Sequence, residues 1–150
     1  MYQQKGRKNK PMFEFKFHIL ELTLRVFLGV LFFAQGYDKV FRVKISGVIE
    51  TFHTEMESKH VPSFMLVMAA YYTSIVELVA GAMLILGLFK FYALTLLGID
   101  LMLVTCAFSI LQPMWDMQYV FPRLVILTVL FLLPEKWEIF SIDFFITNLK

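Results

Sequence analysis

Residues 71–89 read YYTSIVELVAGAMLILGLF, the middle and end of an apolar run that begins at Phe64 and carries one charge, Glu77. A run of this length can cross a bilayer, which takes roughly 20 apolar residues. A carboxylate inside such a run is costly in hydrocarbon, so it is expected to face protein and to have a partner. Ala70, Ser74, Glu77 and Gly81 follow at i, i+4, i+7 and i+11, which places them on one helix face. Apart from the glutamate that face is small, and small residues let a second helix approach closely.

The rest of the chain has the same character. Of its 150 residues 59% are hydrophobic and 17% charged, against about 25% charged in an ordinary soluble protein. This composition reads as one small integral membrane domain. The net charge of +2 is too small to imply a nucleic-acid partner. The single cysteine, Cys106, excludes an internal disulfide, a CxxC dithiol and a multi-cysteine metal or iron–sulfur centre, so any redox group would be borrowed. Cys106 itself is expected to be a small buried apolar residue.

Four spanning helices are expected, at about 17–41, 63–88, 91–111 and 117–133, giving an all-α four-helix membrane bundle. The polar, basic residues 1–16 precede them, and a short amphipathic tail, 135–150, follows. The first apolar region is too long for a signal peptide and lacks a small-x-small cleavage site, so it is read as a retained helix. Between the first two spans, Ile45, Val48, Ile49, Phe52 and Met56 keep a helical spacing. They predict a short amphipathic helix lying at the outer membrane surface. Its histidines, His53 and His60, lack a third ligand, and no metal site is expected. Pro62 and Ser63 suit the start of the second span, and Pro113 breaks the chain after the third.

Lysines and arginines fall eight to three in favour of the N-terminal side: Lys5, Arg7, Lys8, Lys10, Lys16, Lys90, Lys136 and Lys150 against Arg42, Lys44 and Lys59. By the positive-inside rule both termini face the cytoplasm. The expected location is a bacterial cytoplasmic membrane, crossed several times. Trp115 and Tyr119 then mark the outer interface and Trp137 the inner one.

The first span repeats the small, polar face: Arg25, Gly29, Phe32, Gly36 and Lys39 share a helical spacing. Counted from the expected helix ends at 1.5 Å per residue, Arg25 lies about 12 Å deep, and Glu77 and Asp100 about 15 Å. The expectation is therefore a three-helix cluster of Arg25, Glu77 and Asp100, its helices packed through Gly29, Gly36, Ala70, Ser74 and Gly81. A second polar group, Gln35, Asp38, Lys39 and Arg123, is expected nearer the outer face, with Arg123 either partnered by Asp38 or snorkelling to the lipid headgroups. Three roles are open to these charges: ion pairs that fix helix register, a pocket for a quinone headgroup or a proton relay, and a surface for a partner.

RVFLGVLFFAQGYDKVF, at 25–41, resembles the first helix of the DoxX family, with Arg25, Gly29, Gly36 and Lys39 at the family's positions. ELVAGAMLILGLF, at 77–89, is similar to its second-helix pattern, matched by Glu77, Gly81, Leu84, Leu86 and Gly87. Ser141-Ile142-Asp143 resembles the serine–leucine–aspartate ending of many members, though the glycines that usually precede it are absent. The resemblance implies a four-span membrane protein of one of two kinds. One is a subunit of a quinone-linked membrane redox complex, with quinone as a possible ligand and nothing bound covalently. The other is a non-catalytic adaptor or assembly factor, partnered by another membrane protein or by copies of itself. The redox cysteines of a related branch are missing here.

Overall fold

The computed structural model describes residues 10–56, 59, 61–111, 117–134 and 137–148. Residues 1–9, His60, Trp115, Lys136 and Lys150 lie outside them, and with them much of the charge bias on which the orientation rests. Among the described residues the chain is helical throughout, without strands. The elements are α1 (Lys10–Tyr37), a π-helical turn (Asp38–Arg42), α2 (Lys44–Met56), α3 (Ser63–Leu86), α4 (Lys90–Leu111), α5 (Met117–Leu132) and α6 (Ile142–Asn148).

α1 packs on α3, α3 on α4, α4 on α5 and α5 back on α1, so these four helices close a ring. Leu28, Phe32, Leu84, Leu94, Leu97 and Leu130 fill its centre. Large apolar side chains such as Phe27, Phe64, Met68 and Phe121 point outward. Three stretches are long and apolar enough to cross a membrane: Glu14–Arg42, Ser63–Leu86 and Lys90–Ala107. The fourth apolar helix, Gln118–Leu132, is shorter.

Helix ends follow local chemistry. Pro62, extended at φ −60° and ψ 130°, opens α3. Gly87 closes it in the left-handed conformation at φ 67°. The Gly87 and Leu88 N–H groups donate back to Leu84 O (3.2 Å) and Met83 O (2.9 Å), the paired bonds of a Schellman cap. The chain then reverses through Phe89 into α4.

Between α1 and α3 the glycines decide the register. A Cβ on Gly36 would fall onto the backbone of Leu78, and one on Gly81 would lie 2.5 Å from Phe33 N. The helices therefore touch backbone to backbone at these points. α2 lies against α3 with Val48 and Met56 buried and Ile45, Ile49 and Phe52 half-buried, which is the stripe read from the sequence.

The elements differ from the expected ones in three places. α1 begins at Lys10, inside the segment 1–16 expected to precede the first span. The first span runs as α-helix only to Tyr37. It then widens into a π turn closed by Val43 N–H donating to Asp38 O (2.8 Å). Cys106 is exposed rather than buried. The bundle side of α4 carries Ala93, Leu94, Leu97, Asp100 and Leu101, and helical periodicity turns Cys106 away from it.

Candidate functional site

The glycine-set register brings the intramembrane charges together in a different grouping from the one the depth count gives. Arg25 is not beside Glu77. Its Nη1 donates to Leu84 O at 2.7 Å and Ile85 O at 3.4 Å, near the end of α3, about 10 Å along that helix from Glu77. Two effects separate the pair. Arg25 on α1 lies level with Gly87, just past the end of α3, and Phe17 does not, so α1 projects beyond this end of the bundle, the inner end as against the outer end at Ser63. Helical side chains also lean toward their own N-terminus. In antiparallel helices Arg25 therefore leans inward and Glu77 outward.

Arg25 instead organises an inner cluster. It is fully buried; its Nε donates to Glu21 Oε1 at 3.0 Å and its Nη2 to Phe140 O at 2.7 Å. Lys90 joins through Glu138 Oε1 at 2.5 Å and Glu21 Oε1 at 3.4 Å. Two cations thus face two carboxylates. Burial pushes the Glu138 carboxyl above the usual carboxylate range, and Lys90 partly opposes this. The guanidinium also lies on the C-terminal carbonyls of α3, where a positive charge meets the negative end of the helix dipole.

The tail locks onto the same place. Ser141 Oγ accepts from Phe144 N–H at 3.1 Å and so caps α6. Asp143 Oδ2 accepts the Phe89 N–H at 2.5 Å, and Asp143 N–H donates to Gly87 O at 3.3 Å. A Cβ on Gly87 would press on both Ser141 and Arg25. The Ser-Ile-Asp motif is therefore a clasp over the α3–α4 turn. Trp137 stacks on Phe17 with ring centroids 4.2 Å apart, and its carbonyl oxygen lies 2.9 Å from His18 Nδ1.

The outer cluster holds the remaining charges. Lys39 Nζ lies 2.7 Å from Glu77 Oε2, an ion pair without hydrogen-bond alignment. The carboxyl groups of Glu77 and Asp100 adjoin one another, within the field of both Lys39 and Arg123. Arg123 Nη1 donates to Gln35 Oε1 at 2.8 Å, and its guanidinium carbon lies 5.8 Å from the Phe32 ring centre. Asp38 is not its partner. Asp38 sits exposed at the start of the π turn, where Arg42 reaches it one turn later at 3.1 Å. Gly29, Gly36, Ala70, Ser74 and Gly81 are all buried, the glycines at the α1–α3 contact.

The two clusters differ in how far their polar atoms are satisfied. In the inner one, Glu21 Oε2 is the buried side-chain atom left without a hydrogen bond. In the outer one, Glu77 Oε2, both oxygens of Asp100 and the hydroxyls of Thr73 and Ser74 have none, with the Glu77 and Asp100 carboxyls close enough to share a proton. Thr73 is 3% exposed, and Ser74 and Asp100 are 0% exposed. Elsewhere the helical hydroxyls of Thr23, Thr95, Thr105 and Thr128 donate to their own i−4 carbonyls. Thr73 and Ser74, one turn outward of Glu77, do not. The cluster also abuts the π turn that carries Lys39, and π turns inside helices recur at functional sites.

The match to known proteins falls on this core. A family model, DoxX, matches residues 20–110. The chain belongs to the DoxX family. As a DoxX protein it is a multi-pass membrane protein, and the match takes in Arg25, Lys39, Glu77 and Asp100 but not α5 or the tail. No curated protein and no solved structure matches it.

Among the site residues, Glu21, Lys90, Glu138 and Thr73 were not singled out in the sequence. Glu21 and Arg25 are spaced i, i+4, the separation of a helical ion pair, so that signal was present. Lys90 and Glu138 are far apart in sequence, and nothing local links them. Among the described residues no group of three metal-ligating side chains occurs.

Proposed function

We propose that this DoxX protein is the membrane subunit of a quinone-linked redox complex, with the outer cluster as its working site. The observation that carries this reading is a pair of adjoining buried carboxyl groups, Glu77 and Asp100, with the Thr73 and Ser74 hydroxyls unbonded beside them. Buried polar atoms ordinarily have partners, and orphans at one place point to a proton, a water or a ligand group. Reducing a quinone to a quinol takes up two electrons and two protons. The electrons would come from a partner redox subunit. Glu77 and Asp100 are acids placed to pass protons, and Lys39, with a quarter of its side chain exposed, is a donor for a quinone carbonyl at the site's edge. The arrangement read for this role is four membrane spans, α5 included, in a bacterial cytoplasmic membrane with both termini on the cytoplasmic side. α2 would then lie on the outer surface.

A second reading, a non-catalytic adaptor or assembly factor, is favoured by one observation. The two cavities described for the chain lie at the tail and beside α2, and neither is lined by Glu77 or Asp100. The test is Glu77→Gln and Asp100→Asn in native membranes, with the protein level as control. Loss of quinone reduction and of co-purified quinone at unchanged protein level is expected. Unchanged activity and unchanged bound quinone would eliminate the redox reading and leave the adaptor.

A further inference from the structure

A cavity of about 560 Å³ opens at the inner end of the bundle, between α4, α5 and the tail. Its size is that of a small-molecule site. Phe91, Tyr92, Phe131 and Phe144 form its walls. Phe91 meets Phe131 and Tyr92 edge to face, with centroids 6.0 and 5.8 Å apart. Both Phe91 and Tyr92 are more than half exposed, so the walls continue the apolar outer surface of the bundle. The floor is polar and belongs to the clasp: Lys90, Glu138, Ser141 and Asp143.

The hydrogen bonds of that floor select the ligand's chemistry. Most of its donors are engaged. Lys90 holds Glu138 and Glu21. Ser141 Oγ donates to Glu138 O, Thr147 Oγ1 to Asp143 O and Asn148 Nδ2 to Phe144 O. Its acceptors are not all used. Glu138 bonds through Oε1 and Asp143 through Oδ2, which leaves Glu138 Oε2 and Asp143 Oδ1 open. An aromatic cleft continuous with the lipid-facing surface, ending in two open carboxylate oxygens, complements an amphiphile with a cationic, N–H-donating head. An anionic head would face two carboxylates across a floor whose ammonium is already held.

We propose that this cleft binds a phospholipid with a primary ammonium head, of the ethanolamine type. The acyl chains lie along the Phe91–Phe131 wall, and the ammonium donates to Glu138 and Asp143. Charge-assisted hydrogen bonds of this kind are roughly twice as strong as neutral ones. The lipid would then bridge α4 and the tail and tighten the clasp.

The test uses the whole purified protein, stripped of lipid in mild detergent. It is offered ethanolamine, choline and glycerol phospholipids with identical acyl chains, and retention is followed by native mass spectrometry. Choline keeps the positive charge but has no N–H; glycerol has hydroxyl donors but leaves the head anionic. Retention of the ethanolamine lipid at least about tenfold above both others is expected, a difference of about 1.4 kcal/mol. Asp143→Asn should lower it, but this change also loosens the tail. Thr147→Trp, at an exposed position on the cavity's rim, fills the cleft while keeping both carboxylates in the chain and should lower it as well. Equal retention of all three lipids, preference for the glycerol lipid, or undiminished ethanolamine retention in Thr147→Trp would overturn the assignment.

Discussion

Replacing Arg25 by methionine keeps most of the side chain's volume and removes a guanidinium that is completely buried. The loss is worked out from its contacts. Glu21 Oε1 keeps only Lys90, at 3.4 Å. Phe140 O loses a 2.7 Å bond, and the end of α3 loses the cation on Leu84 O and Ile85 O. Removing one partner of a buried ion pair costs about 3–5 kcal/mol, mostly because the other charge is stranded. A loss in that range is expected from reversible unfolding in mixed micelles followed by tryptophan fluorescence. The identity of the stranded charge supplies the sharper test. Adding Glu21→Gln to Arg25→Met should recover about 1–3 kcal/mol, as coupled neighbours do. Adding Glu77→Gln should be additive within about 0.5 kcal/mol, because the groups lie about 10 Å apart along α3. Rescue by Glu77→Gln and none by Glu21→Gln would refute the two-cluster arrangement and restore the single cluster counted from helix ends.

The remaining predictions probe register, clasp and pH. Gly36→Ala should separate α1 from α3 and lower stability by about 1–3 kcal/mol. Gly98→Ala, whose Cβ would meet nothing nearer than Leu127 Cδ2 at 3.9 Å, should be neutral or stabilising by about 0.5–1 kcal/mol, measured in the same titration. Ser141→Ala removes the cap of α6 and should cost about 1 kcal/mol and speed proteolytic clipping of the tail. Because burial raises the Glu138 carboxyl, ionising it costs stability in the folded protein. That contribution is present at pH below its ordinary 4.5 and is lost as pH rises above it. The corresponding downward slope of stability with pH should be flatter in Glu138→Gln.

The helices were legible in the sequence because their signals are local. The expected limits 63–88, 91–111 and 117–133 fall within two residues of α3, α4 and α5, since Pro62, Gly87 and Pro113 punctuate long apolar runs. Gly36 and Gly81 were legible as a packing face for the same reason. The pairing of charges was not. Depth counted from helix ends assumes that the helices end level, and α1 overshoots α3 at the inner side. Lys39 was placed with the outer group, yet its ammonium reaches Glu77, because Lys39 follows Gly36 at i+3 and Gly36 lies against Glu77 and Leu78 of α3. Ser141 and Asp143 were visible as a motif, but their task depends on contact with Gly87 and Phe89, more than fifty residues earlier.

The separation of the charges into two clusters bears on which of them performs work. An ion pair that only fixes register gains by using every lone pair it buries, because each orphan costs about 1–3 kcal/mol. The Arg25 cluster comes close to that condition: Arg25 reaches a carboxylate and three carbonyl oxygens, on three separate parts of the chain, and Glu21 Oε2 is the buried side-chain atom there left without a hydrogen bond. The outer cluster does not. It retains both oxygens of Asp100 and two hydroxyls without partners, beside a lysine that reaches the surface from a π turn. A purely structural role gives little return for those groups, whereas a site that exchanges protons or admits a polar head would use them. The two clusters should therefore separate on substitution. Changes around Arg25 should show first in the amount of folded protein. Asp100→Asn, which adds a donor beside the Glu77 carboxyl, should leave stability unchanged or higher while abolishing the quinone reduction proposed for the site.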